Sequence, residues 1–250
     1  MFLQFLEFLY PALLATVVLT AIHGWLGIQV VERGLVFPAL ALAQLAALGT
    51  AGSIRLGFSP YLGAFVLTVA GAALFASPVW RGLPARATRP PERGLGSPRH
   101  TRETLVAIIF AAAAAGTLLL LGGGQLAGDL LSVRVRTTAL IAVVYIAVAA
   151  ASVFVRRGPA ESRPLHLFLL LAVVFTSSVA IADVPLVFTY LVAPGILSRR
   201  FVIAWPLAIL LSAAGIGLAF KFDLPTAPTV VCTIGVVLAV VAGVRLKIRA

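Results

Sequence analysis

A polytopic, all-α integral membrane protein is the fold class this sequence predicts, and three observations predict it. Of the 250 residues, 61% are hydrophobic and only 11% are charged, against roughly 45–50% apolar and about 25% charged in a soluble domain. The mean hydropathy is +1.11. The apolar residues also fall in runs, several of them near the ~20 residues that a helix needs to cross a hydrocarbon core of ~30 Å. A soluble fold of this length has no interior large enough for so much apolar surface.

The first run spans about Leu9–Val31 and closes at Glu32-Arg33-Gly34. Its upstream residues carry Glu7 and no basic cluster, so the first helix is expected to stay rather than to be cleaved as a signal. A second run, about Leu35–Ile54, is closed by Arg55 and the turn residues Gly57-Phe58-Ser59-Pro60. A third follows from Tyr61 to about Trp80. Residues 81–103 are rich in Arg, Pro and Gly and cannot be buried, so they read as a flexible basic loop within one transmembrane domain covering 1–250. The fourth run is about Leu105–Leu121 and the fifth about Thr138–Val155, ended by Arg156-Arg157-Gly158-Pro159. The stretch Leu165–Leu197 is too long for one helix, and Asp183 with Pro185 in its middle reads as a tight turn between two passes or as a kink. The last runs are about Phe201–Phe220 and Thr226–Val244, separated by Lys221–Pro225.

These runs make eight or nine crossings, and the basic residues choose between them. With nine, fifteen of the nineteen Lys and Arg residues fall on one side and four on the other; with eight, the split is nearly even. Cytoplasmic loops collect Lys and Arg, so nine crossings are expected, with the N-terminus outside and the C-terminus in the cytoplasm of a plasma (inner) membrane. The same sorting accounts for the net charge of +11 without a nucleic-acid partner.

Catalytic motifs are absent. No HExxH, GxSxG or Walker A sequence occurs, Gly122-Gly123-Gly124 reads as a helix-end turn, and no His, Cys, Asp or Glu cluster has metal-ligand spacing. No enzyme, bound cofactor or metal ligand is expected in this chain. The single cysteine, Cys232, excludes an intrachain disulfide.

Polar residues at membrane depth are the candidates for a substrate pathway. His23 is either a hydrogen-bonded packing residue or a ligand. Gln44, in the middle of the second run, has to face other helices or a cavity. Thr176, Ser177 and Ser178 can bond back to their own helix carbonyls. Asp183 marks the turn, and Gly24 and Gly27 permit close helix approach.

Several blocks together resemble the permease subunits of the zinc- and manganese-type metal ABC importers. They are Gly24–Arg33 running into Ala41–Gly49, then Gly128–Val133, Leu191–Arg200 and Phe222–Val231. The resemblance implies a permease working as a homodimer in the lipid bilayer and taking zinc, manganese or a similar ion from an extracytoplasmic substrate-binding protein. It also implies cytoplasmic ATPase subunits, which use the ATP. Arg156, Arg157, Glu161 and Arg163 are then candidates for the ATPase contact; His23, Gln44, Ser177, Ser178 and Asp183 are candidates for the pathway.

Two departures stand out. Where the family has an aspartate and a histidine four residues apart in the second segment, this chain has Leu40 and Gln44. The family's cytoplasmic coupling helix is also replaced by the short, proline-containing stretch Arg156–Pro164. They motivate an alternative, a degenerate relative that acts as a non-pumping scaffold or accessory subunit or carries a non-metal substrate.

Overall fold

A computed structural model describes residues 2–77, 113, 114, 117, 120, 133–157, 163–179, 181–198 and 200–249. Most of the fourth apolar run, the 81–103 loop, Gly122–Gly124, Glu161 and most of the Gly128–Val133 block lie outside the described residues. Among the described residues the chain is all helical: α1 (Phe2–Glu32), α2 (Val36–Leu56), α3 (Pro60–Ala76), α4 (Val135–Arg157), α5 (Arg163–Ser178), α6 (Val184–Leu197), α7 (Phe201–Lys221) and α8 (Thr226–Arg249).

Four of these are long and apolar enough to cross a bilayer: Leu9–Glu32, Val36–Leu56, Val135–Phe154 and Phe201–Phe222. Their outward faces fit that solvent. Ile146 and Phe154 on α4 and Val202 and Leu210 on α7 are 65–81% exposed, which lipid tolerates and water does not. Shorter apolar helices make up α3, α5, α6 and α8.

The helix ends follow from local chemistry. α1 and α2 both stop at a glycine in the left-handed region, Gly34 (φ 66°) and Gly57 (φ 76°). Behind them Leu35 donates its backbone N–H to the Val30 carbonyl at 2.9 Å, and Phe58 donates to that of Ser53 at 2.8 Å. This six-residue closure satisfies carbonyls that the ended helix leaves free. α7 stops the same way with Asp223 (φ 51°) in the glycine position and Leu224 bonded to Ala219 at 2.9 Å.

Three boundaries differ from the sequence expectation. α1 begins at Phe2 rather than near Leu9 and carries Pro11 inside it, a proline that apolar membrane-type helices accommodate. α3 ends at Ala76 rather than near Trp80, because Ser77, the residue before Pro78, takes an extended conformation (φ −65°, ψ 154°). α8 runs on through Arg245, Lys247 and Arg249, good helix formers whose charge suits a helix C-terminus. The stretch Leu165–Leu197 agrees with the tight-turn reading rather than the kink: it is two helices, with Asp183 at the N-cap of α6 and Pro185 in its first turn.

Two compact units divide these elements. One holds α1, α4 as far as Val153, Ser177 and Ser178 at the end of α5, and α6, α7 and α8; the other holds α2 from Phe37, α3, the end of α4 from Phe154, and α5 to Thr176. In the first unit α6 packs against α1, α7 and α8. The α1–α6 seam is made by glycine. A Cβ on Gly27 would overlap the backbone carbonyl of Leu191, and one on Gly24 would press on Pro194 at 3.3 Å. The expectation of close approach at these two residues therefore holds. In the second unit Gly49 and Gly63 play the same part between α2 and α3, each meeting the other's backbone, and Ser53 Oγ accepts the Gly63 N–H at 3.0 Å.

Candidate functional site

Along α1, Thr16, Thr20, His23 and Gly27 recur at spacings of four, three and four, which puts them on one stripe of the helix. The three polar side chains on it are fully buried. A buried polar group inside apolar helices needs a partner, and the partners differ along the stripe. Thr20 returns its hydroxyl to the Thr16 carbonyl at 2.7 Å, as threonines in helices commonly do.

His23 instead anchors a chain across three helices. Its Nδ1 lies 2.8 Å from the Leu19 carbonyl. A carbonyl only accepts, so Nδ1 carries the proton and Nε2 is the acceptor. Ser178 Oγ, 3.2 Å from Nε2, donates to it. The Tyr145 hydroxyl, 2.5 Å from Ser178 Oγ, donates in turn to the serine. The His23 and Tyr145 rings also meet edge to face, with centroids 6.0 Å apart and planes at 83°, a favoured aromatic arrangement. The chain Tyr145–Ser178–His23–Leu19 thus ties α4, the last residue of α5 and α1 through four polar groups, every one buried.

A second group of hydroxyls sits two turns earlier on α1. Tyr190 of α6 points its hydroxyl at Thr16 and at Ser212 of α7, yet Tyr190 OH and Thr16 Oγ1 are buried with no hydrogen bond among the described residues. Ser212 gives its own proton to the Ala208 carbonyl at 2.7 Å.

The sequence candidates fall as follows. His23 and Ser178 are brought into direct contact. Ser177 is half-buried beside the Tyr145 hydroxyl. Ser178 reaches across helices, and Thr176, expected to bond back to its own helix, has a buried Oγ1 with no partner among the described residues. Asp183 is half-buried at the N-cap of α6, where its backbone carbonyl accepts from Val187 at 2.9 Å and its side chain makes no capping bond. Gln44 is half-buried on α2 in the other compact unit, one turn from half-buried Leu40. Arg156 and Arg157 are the last two residues of α4 and Arg163 the first of α5, so only 158–162 separate the two helices. Among the described residues no three His, Cys, Asp or Glu side chains form a group able to hold a metal ion.

Tyr145 and Thr16 were not singled out from sequence. Both carried a readable signal: a tyrosine in the middle of an apolar run needs a hydroxyl partner, and Thr16, Thr20 and His23 repeat at helical spacing.

The fold is that of a polytopic helical membrane protein, and comparison with known proteins narrows it. Residues 5–79, which contain most of α1 and all of α2 and α3, match the model of the ABC 3 transport family. The fold is similar to that of a solved structure, PsaBC from Streptococcus pneumoniae in complex with Fab. The TM-score is 0.73, with 17% identity over 96% of this chain and 95% of that one. No curated protein matches. The resemblance to ABC-importer permeases is therefore supported from sequence over the first three helices and, for the fold, from the backbone along nearly the whole chain.

Proposed function

We propose that this chain is the membrane-spanning permease subunit of an ABC-type importer for a divalent transition-metal ion such as zinc or manganese, energised by a separate ATPase. The observation that carries the reading is the joint match: the ABC 3 transport model over residues 5–79 together with a shared fold over 96% of the chain. The sequence has no nucleotide-binding motif, so the energy has to come from a partner. The chain works as a homodimer, receives its ion from an extracytoplasmic binding protein, and alternates access as cytoplasmic ATPases close and open.

Within that reading each candidate has a task. Gln44 has no side-chain hydrogen-bond partner among the described residues and is half-buried, which leaves its amide available to a partly hydrated ion. His23 has both ring nitrogens engaged, so it holds helices in register and meets the ion only if Ser178 turns away. Ser177 and Asp183 extend the polar path toward the turn that precedes α6. Arg156, Arg157, Glu161 and Arg163 form the surface offered to the ATPase, in a short connection in place of a long coupling helix.

One specific observation favours a second reading. Leu40 and Gln44 occupy the positions of the family's acid and histidine, and an amide is a poor ligand for an ion that carboxylate and imidazole hold well. A permease-like scaffold that no longer pumps, or a permease for a non-metal substrate, fits that exchange. Affinity purification of the tagged full chain from its native membrane separates the readings. Co-purification of an ATPase subunit supports the importer, and its consistent absence favours the scaffold.

A further inference from the structure

In the first compact unit a groove of about 590 Å³ opens between α1, α4 and α7. Its walls include Trp25, Tyr145, Phe201 and Trp205. The aromatic rings are locked together: Trp25 meets Phe201 edge-on at 5.6 Å, and Phe201 stacks on Trp205 at 5.7 Å. Every polar handle on them is used inside the protein. Trp25 Nε1 donates to Ser152 Oγ at 2.9 Å, Trp205 Nε1 to the Val17 carbonyl at 3.4 Å, and Tyr145 OH to Ser178. The other lining side chains are alanine, valine and isoleucine. What the groove presents is thus a hydrocarbon surface.

One end of the groove is different. Arg200 immediately precedes Phe201, is exposed, and makes no ion pair among the described residues. Glu32, at the C-terminal end of α1 and toward the same end as Arg200, is the only carboxylate among the described side chains of the three lining helices, and Arg33 follows it. Tryptophan beside arginine at a helix end is the signature of the membrane–water boundary, and basic pockets between transmembrane helices bind anionic lipid headgroups.

We propose that this groove is a binding site for one anionic phospholipid, with an acyl chain along α4 and α1 and the phosphate at Arg200. The charge decides the occupant. A zwitterionic lipid fills the groove equally well but gains less at Arg200, because its own cation offsets the phosphate, and a second copy of the chain would bring another Arg200-bearing face.

The test uses the full-length purified protein equilibrated with phosphatidylglycerol and phosphatidylcholine of identical acyl chains, with retained lipid read by native mass spectrometry. Wild type is expected to hold phosphatidylglycerol about fivefold more tightly, the effect of one arginine near an anionic headgroup. Arg200→Gln, at an exposed position that folding does not depend on, is expected to bring the two lipids to parity. Ala150→Trp, which fills the groove from its exposed rim, is expected to lower retention of both. Equal retention of the two lipids by wild type, an unchanged preference in Arg200→Gln, or full retention in Ala150→Trp would each overturn the proposal. So would efficient disulfide cross-linking of two copies through Ile146→Cys in a Cys232→Ser background, which would assign the groove to a second chain.

Discussion

Two clusters of buried hydroxyls lie two turns apart on α1, and they are built on opposite terms. At His23 the donors and acceptors run in one direction: Tyr145 donates to Ser178, Ser178 to His23, and His23 to the Leu19 carbonyl. At Thr16, three hydroxyls from α1, α6 and α7 converge, and two of them have no hydrogen bond among the described residues. Composition does not separate them, since each has a tyrosine and a serine. The difference is the histidine, whose Nε2 accepts the hydrogen bond from Ser178 while its Nδ1 donates to the Leu19 carbonyl, so the chain ends on a backbone acceptor. In an apolar interior a completed chain fixes the register of the helices it joins, and an incomplete one leaves polar atoms that cost free energy.

This contrast sets the order of the mutational effects. Ser178→Ala should be the most damaging, because it removes at once the hydroxyl that Tyr145 OH donates to and that His23 Nε2 accepts from, with only Ser177 left beside the tyrosine. Loss of about 2 kcal/mol is expected in detergent-micelle unfolding, two buried groups at roughly 1 kcal/mol each. A loss below about 0.5 kcal/mol would break the claim that the chain holds helices together. Tyr145→Phe removes one donor and leaves Ser178 bonded to His23, so about 1 kcal/mol is expected from the same measurement. Combining the two substitutions should give less than the sum, with a coupling of about 1 kcal/mol in a double-mutant cycle; strict additivity would show that the serine and tyrosine act separately. Thr16→Val and Tyr190→Phe come last, with changes within about 0.5 kcal/mol and Thr16→Val neutral or stabilising. A cost as large as that of Ser178→Ala would instead reveal an internal water completing the second cluster.

Much of the fold was legible because its signals are local. Apolar runs place the helices, Gly34 and Gly57 end two of them, and Asp183 with Pro185 divides the stretch that is too long for one. The missed boundaries have local causes as well: Phe2, Leu3, Phe5 and Leu6 extend α1 upstream past Glu7, and the residue before Pro78 stops α3 early. The site was less legible. His23 and Ser178 could be picked singly as polar residues at membrane depth, but their pairing is 155 residues apart in sequence and depends on how α1, α4 and the end of α5 meet. Tyr145 and Thr16 were hidden for the same reason, since a hydroxyl in an apolar run is read as tolerated until its partner is seen. Gln44 was readable as a polar residue at depth, and its half-buried placement on α2 shows no protein partner among the described residues for the amide.

The proposed function requires this chain to convert a partner's ATP hydrolysis into transport, and the direct measurement is coupling. The full chain is reconstituted in proteoliposomes with the ATPase subunit that co-purifies with it, and ATP hydrolysis is followed with and without its binding protein loaded with Zn²⁺ or Mn²⁺. A severalfold rise in hydrolysis on adding the loaded binding protein, with ion appearing on the opposite side, is the expected result. Hydrolysis that stays at its basal rate with either ion, while the complex remains assembled, would contradict the metal-importer reading.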